Sequence, residues 1–361
     1  MAEKTKRVPE IELMKAVAII GMIYVLVIEG SRDVLINVKA LPGLVPYTFF
    51  EFLGGIPTAG VLMFAMGWGA EHSERSTVKT FLLRALKLFL LGLYVNIIRD
   101  ILPGLIDPEH FGSFLEHPWA ILDFNILWFA ALSMIFFAIM RWAEDNPILC
   151  GVFSLVVVLA IFAADFMLTP ETFKGNQWLA TLIGVFFRQN EYSWFPVVPW
   201  GIFPVMGYWA GFLYRRWENR FQFAIASLAV GVTFIPMSIA AIMTKGLPLA
   251  AVNPGYVSAV DYYSLNIWNL VCAIGIICLE MAICFGILAL TGRKIPALLA
   301  DMSRHVLGIF LMMWVFISPM LPLLINITDV WINLLLGTIV LAATYVSVKM
   351  LINLKANFWT S

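Results

Sequence analysis

Residues able to do chemistry are few in this chain and unevenly placed. Asp123 and Asn125 enter an apolar stretch in Trp119-Ala-Ile-Leu-Asp-Phe-Asn-Ile-Leu-Trp128, and Arg99 and Asp100 close the apolar stretch before it. With Glu29, Arg32, Asp33 and Glu51 they make a ring of charge at one set of stretch ends. Such a ring could form an acceptor site reached from outside; plain interfacial solvation and mutual pairing explain the same residues. His110 and His117, seven apart in the loop between those stretches, could supply a base or bind a metal. Glu12 and Lys15, three apart, share one face of the first helix and either face the bundle or a wet cavity or snorkel to headgroups. Arg84 and Lys87, with Lys15, Arg293, Lys294 and Arg304, could hold phosphate-bearing ligands such as coenzyme A as charge pairs. Glu280 stands alone in Ile276-Ile-Cys-Leu-Glu-Met-Ala-Ile-Cys284, where a carboxylate costs about 2.5–3.5 kcal/mol to insert and must face a cavity or a neighbouring helix.

These residues are embedded in an apolar chain. Of 361 residues, 61% are hydrophobic and 13% charged, with a mean hydropathy of +0.89. A soluble domain has roughly 45–50% apolar and about 25% charged residues, so the class is a polytopic membrane protein. Lys plus Arg and Asp plus Glu number 23 each, which argues against a nucleic-acid partner. The basic start is followed by an apolar run long enough to span and without a small-residue cleavage site, so no cleaved leader is expected. Cys150, Cys272, Cys278 and Cys284 all lie in apolar runs and read as buried free thiols rather than a metal set. Gly-rich phosphate loops, HExxH, CxxC and GxSxG are absent.

A hydrocarbon core of about 30 Å needs roughly 20 apolar residues per helix, which predicts about ten spans. They fall near 11–29, 49–69, 80–101, 119–142, 148–168, 195–214, 221–243, 265–291, 305–325 and 331–353. Basic residues gather at every second connection, so both termini are expected in the cytoplasm. The fold expected is all-α, a single bundle over residues 1–361 organised around the first helix, with a short interfacial helix over 179–187.

Three stretches together resemble the transmembrane acyltransferases related to heparan-α-glucosaminide N-acetyltransferase. They are Arg7-Val-Pro-Glu-Ile-Glu-Leu-Met-Lys-Ala-Val-Ala-Ile-Ile, Asp123-Phe-Asn-Ile-Leu-Trp-Phe-Ala-Ala-Leu-Ser-Met134 and Trp194-Phe-Pro-Val-Val-Pro-Trp-Gly-Ile-Phe-Pro-Val-Met-Gly-Tyr-Trp-Ala-Gly211. Phe81-Leu-Leu-Arg-Ala-Leu-Lys-Leu-Phe-Leu-Leu-Gly-Leu93 fits as well. The resemblance implies ten or eleven helices moving an acyl group from cytoplasmic acyl-CoA, acetyl-CoA first among them, to an envelope sugar or glycolipid acceptor. Glu12, Lys15, Arg84, Asp123, Pro199 and Trp200 match by position. On this reading Asp123, His110, His117 and Glu12 are the candidates for the chemistry. Lys15, Arg84, Lys87, Arg304, His305 and Trp200 are the candidates for holding the donor, and a wet passage should join the two groups.

The chain departs from that pattern at three places where relatives commonly carry histidine: Leu26, Trp128 and Met313. Losing a positioned acid–base group typically costs about 10²–10⁴ in rate. Either His110, His117 or Asp123 substitutes, or the chain is a non-catalytic relative serving as a membrane subunit or scaffold, with protein partners or as a homo-oligomer. A transporter or flippase built around Glu280 is a third reading.

Overall fold

The computed structural model describes residues 8–30, 55–73, 77–105, 122–143, 147–167, 185–186, 194–217, 219–246, 265–324, 327 and 329–360. His110 and His117 lie outside them, as does most of the expected interfacial helix. The described secondary structure is helical: α1 (Pro9–Gly30), α2 (Ile56–Glu71), α3 (Val78–Ile101), a 3₁₀ turn (Pro103–Leu105), α4 (Ile126–Trp142), α5 (Pro147–Met167), α6 (Val197–Trp200), α7 (Ile202–Arg216), α8 (Arg220–Lys245), α9 (Ile267–Leu290), α10 (Ala297–Arg304), α11 (Val306–Leu324) and α12 (Val330–Thr360). Among the described residues six helices are long and apolar enough to cross a membrane: α1, α3, α8, α9, α11 and residues Trp331–Leu354 of α12. The other four expected spans fall on α2, α4, α5 and α7.

Local chemistry sets several of the helix starts. Thr77 caps α3 by accepting the Thr80 amide at 3.3 Å. Asn266 caps α9 by accepting the amides of Trp268 and Asn269 at 3.0 and 2.9 Å. Each cap satisfies donors that the first turn leaves unpaired, which matters more in hydrocarbon than in water. Gly246, at φ +61°, closes α8 in the left-handed conformation that favours glycine.

Helix α1 is the axle. It packs on α2, α9, α10, α11 and α12, and its most apolar window is 67% buried against 17–28% for α3, α8, α11 and α12. Around it the helices associate in pairs: α8 on α9, α2 on α7, α3 on α4. The α2–α7 pair depends on two glycines. A Cβ on Gly207 would lie 1.9 Å from the Phe64 carbonyl oxygen, and one on Gly67 would lie 2.0 Å from that of Pro204. Backbones approach this closely only where side chains are missing, a common device when helices associate in lipid.

One end of the bundle collects the basic residues. Arg293 donates to the wholly buried Glu10 at 2.7 Å, and Ser303 donates to Glu12 at 2.5 Å. Arg215 and His72 both pair with the buried Glu71, and Arg141 donates to the Ala70 and Ser73 carbonyls at 3.4 and 3.0 Å. Lys349 reaches Asp301 at 3.1 Å. The start of α1 and the ends of α2, α4, α7, α9 and α12 therefore meet at this end of the bundle.

Candidate active site

The polar cluster at the opposite end is built by α3, the approach to α4 and the segment before α6. Asn125 caps α4, its Oδ1 accepting the amides of Leu127 and Trp128 at 2.9 and 3.1 Å. Its Nδ2 donates to the Gly92 carbonyl at 2.8 Å and to Asn96 Oδ1 at 2.7 Å. Asn96 in turn donates to the Asp123 carbonyl at 2.8 Å. Two buried amides thus lock the turn that carries Asp123 against the last turns of α3.

The Asp123 side chain lies outside α4, before its first turn. Arg99 donates to its Oδ2 at 2.6 Å, and the Trp194 indole N–H approaches the same oxygen at 3.2 Å. Arg99 is itself steadied by Asp100, through Nε at 3.0 Å and Nη2 at 3.4 Å, and its guanidinium lies 5.7 Å from the centre of the Trp194 ring. The amides of Trp194 and Phe195 converge on the Phe124 carbonyl at 3.2 and 3.4 Å, which fixes that segment to the same turn. Asp123 Oδ1 is buried and has no hydrogen-bond partner among the described residues. Burial pushes the carboxyl up to about 7, against the opposing pull of Arg99 and Trp194. The cluster is a carboxyl with one oxygen anchored and one uncommitted, and with an affinity for protons suited to exchange near neutral pH.

The other site candidates are divided between the two ends. Glu12 and Lys15 pair at 2.7 Å at the basic end, close to α10 through Ser303. His305 lies 3.6 Å from Asp301, one turn away, and Arg304 is exposed beside it. Arg84 and Lys87 are on the exposed side of α3, which packs chiefly on α4. Trp200 does not join these cations: it is wholly buried where α6 leads into α7, against Phe195 and Phe203 at 4.9 and 5.7 Å. Among the described residues no group of three or more His, Cys, Asp or Glu is placed to hold a metal ion.

The three places that commonly carry histidine are apolar packing sites in one continuous core. Trp128 stacks on Phe89 at 4.7 Å and donates its indole N–H to the Phe89 carbonyl at 2.9 Å. Gly92 makes room for it, since a Cβ there would lie 2.1 Å from the ring. Met313 is fully buried and Leu26 packs against the same core. A profile of the family described as heparan-alpha-glucosaminide N-acetyltransferase, catalytic, matches residues 7–239, more than half of the chain. The chain belongs to this family. Comparison with curated proteins and with solved structures finds no match. Asp123, Arg99, Trp194 and Glu12 all lie inside the matched region, whereas Asp301, Ser303 and Glu280 lie beyond it. The protein is therefore an integral membrane protein with an acyltransferase domain of this family.

Asn96 and Ser303 are site residues that sequence reading passed over. A signal for Asn96 existed: it is the lone amide in Leu93-Tyr-Val-Asn-Ile-Ile-Arg-Asp100, three and four residues before Arg99 and Asp100 and so on their face. Ser303 had none, because a serine near a short helix end is ordinary and its partner is 291 residues away.

Proposed function

We propose that the protein transfers an acyl group from an acyl-CoA, such as acetyl-CoA, to a hydroxyl or amine of an envelope sugar or glycolipid, with Asp123 as the base. The observation that carries this is the asymmetry of the carboxyl: Oδ2 is held by Arg99 and Trp194, while Oδ1 has no partner among the described residues. Oδ1 takes the proton of the acceptor as its oxygen or nitrogen bonds to the acyl carbon. The carbon–sulfur bond breaks and the thiolate leaves, to be protonated by water. The exposed cations Arg84, Lys87 and Arg304 suit the phosphates of the donor. We place those cations in the cytoplasm by the positive-inside rule, with ten crossings in one domain and both termini inside. The test is release of CoA by purified protein in proteoliposomes supplied with acetyl-CoA and a pool of sugar acceptors. Loss of release in Asp123→Asn, with the fold retained, supports the reading; neither acetyl-CoA binding nor CoA release with any acceptor overturns it.

A second reading, a non-catalytic subunit of a membrane complex, is favoured by the packing between the two ends. Met14, Ile19, Ile23 and Val27 of α1, with Met313 and Ile317 of α11, are fully buried in one continuous apolar core. That reading predicts a stable copurifying protein and a cellular role indifferent to Asp123→Asn.

A further inference from the structure

The described residues enclose a groove of about 410 Å³ between α1, α9 and α10, remote from Asp123 and beyond most of the matched region. Leu13 and Val17 form one wall, Ile276, Ile283 and Ile287 the other, and Leu299 one end. Ile283 and Ile287 are half exposed, so the groove opens sideways where a membrane helix meets lipid. Two features are foreign to a plain hydrocarbon slot. Glu280 lines the groove, and its Oε1 is buried without a hydrogen-bond partner among the described residues. Lys294 stands at the basic end of the same groove and, among the described residues, has no ion-pair partner.

Glu280 and Thr291, which lies next to the lysine loop, are eleven residues apart, roughly 16 Å along a helix. We propose that the groove binds a single-chain anionic lipid. Its head group pairs with Lys294, its chain lies along the isoleucine wall, and a mid-chain hydroxyl bonds the Glu280 carboxyl. The commitment to a hydroxyl follows from the orphaned oxygen: an unmodified alkyl chain would leave a buried polar atom unsatisfied, which is costly in hydrocarbon. The commitment to an anionic head follows from the uncommitted ammonium. Entry is lateral, between the exposed isoleucines. The site does not depend on the acyl-transfer reading and stands whether or not Asp123 is a base.

The test is equilibrium binding of radiolabelled stearate and of stearate bearing a mid-chain hydroxyl to the purified full chain in nanodiscs. The hydroxylated acid should bind about tenfold more tightly, one good hydrogen bond's worth. Glu280→Leu should abolish that preference while retaining stearate, Lys294→Gln should weaken both, and Ile283→Trp should block both by filling the groove. Equal affinity of the two acids for the unmodified chain overturns the proposal, as does a preference that survives Glu280→Leu or the lack of saturable binding. Should Glu280→Leu fail to fold, the comparison of the two acids on the unmodified chain and the Ile283→Trp block still decide it.

Discussion

Arg99 Nη2 lies 2.6 Å from Asp123 Oδ2 and ties the last turn of α3 to the residue that precedes the cap of α4. Each partner is 15% exposed or less, so the pair is largely out of water. The remaining oxygen of Asp123 is buried and has no hydrogen-bond partner among the described residues. The arrangement holds a carboxyl in one orientation while leaving half of its capacity for hydrogen bonds unused.

If Asp123 is the base, it must be deprotonated to work. Its affinity is raised to about 7 by burial, so acyl transfer should climb with pH through about 7 and level off above it. Asp123→Asn should lower the rate by about 10²–10⁴ and remove that rising limb. A pH profile of CoA release on both proteins checks this, and a profile flat from pH 5 to 9 in the unmodified protein argues against Asp123.

Asp301 holds α10 to α12 from outside the spans. The Tyr345 hydroxyl donates to it at 2.8 Å and Lys349 at 3.2 Å, and these bonds keep the carboxyl below the usual aspartate range. A lowered value means that the folded state favours the carboxylate. Its stabilisation is present above the ordinary aspartate range and is lost as pH falls below about 4. Asp301→Asn should loosen α10 by about 0.2–1 kcal/mol, read as faster hydrogen exchange over residues 297–304 at pH 7.

Gly207 permits the contact of α7 with α2. Gly207→Ala places a carbon against the Phe64 carbonyl and should destabilise the bundle by about 1–3 kcal/mol or more. Gly69→Ala on α2 meets nothing within 4 Å and should stay within about 0.5 kcal/mol. Melting of the two variants in one detergent separates an effect of close approach from one of glycine loss in general.

Glu71 is 2% exposed and is balanced by Arg215 and by His72, 3.0 Å away. Arg215→Met removes the stronger partner and should cost about 3 kcal/mol, the lower end for stranding a buried charge, because the histidine stays. Adding Glu71→Gln should recover most of the loss. A double-mutant cycle on melting temperature measures the coupling, and additive losses would mean that the two residues act independently.

Much of the architecture was legible in the residues themselves, for a physical reason. A long apolar run has one favourable place, the hydrocarbon of a membrane, and one favourable backbone there, a helix. Composition therefore determined the all-helical class, and α1, α3, α8, α9, α11 and α12 fall where the apolar runs lie. The clustering of basic ends was likewise readable. Which polar residue meets which was not, because partners such as Glu12 and Ser303 are brought together by packing across 291 positions of chain. Local spacing carries no information about such distances. The division of the site residues was also decided only in three dimensions, with Trp200 buried at the opposite end from Lys15 and His305. Tertiary packing likewise gathered Met14, Ile23 and Met313 into one core, because apolar side chains that share a bundle axis interlock wherever nothing polar holds them apart.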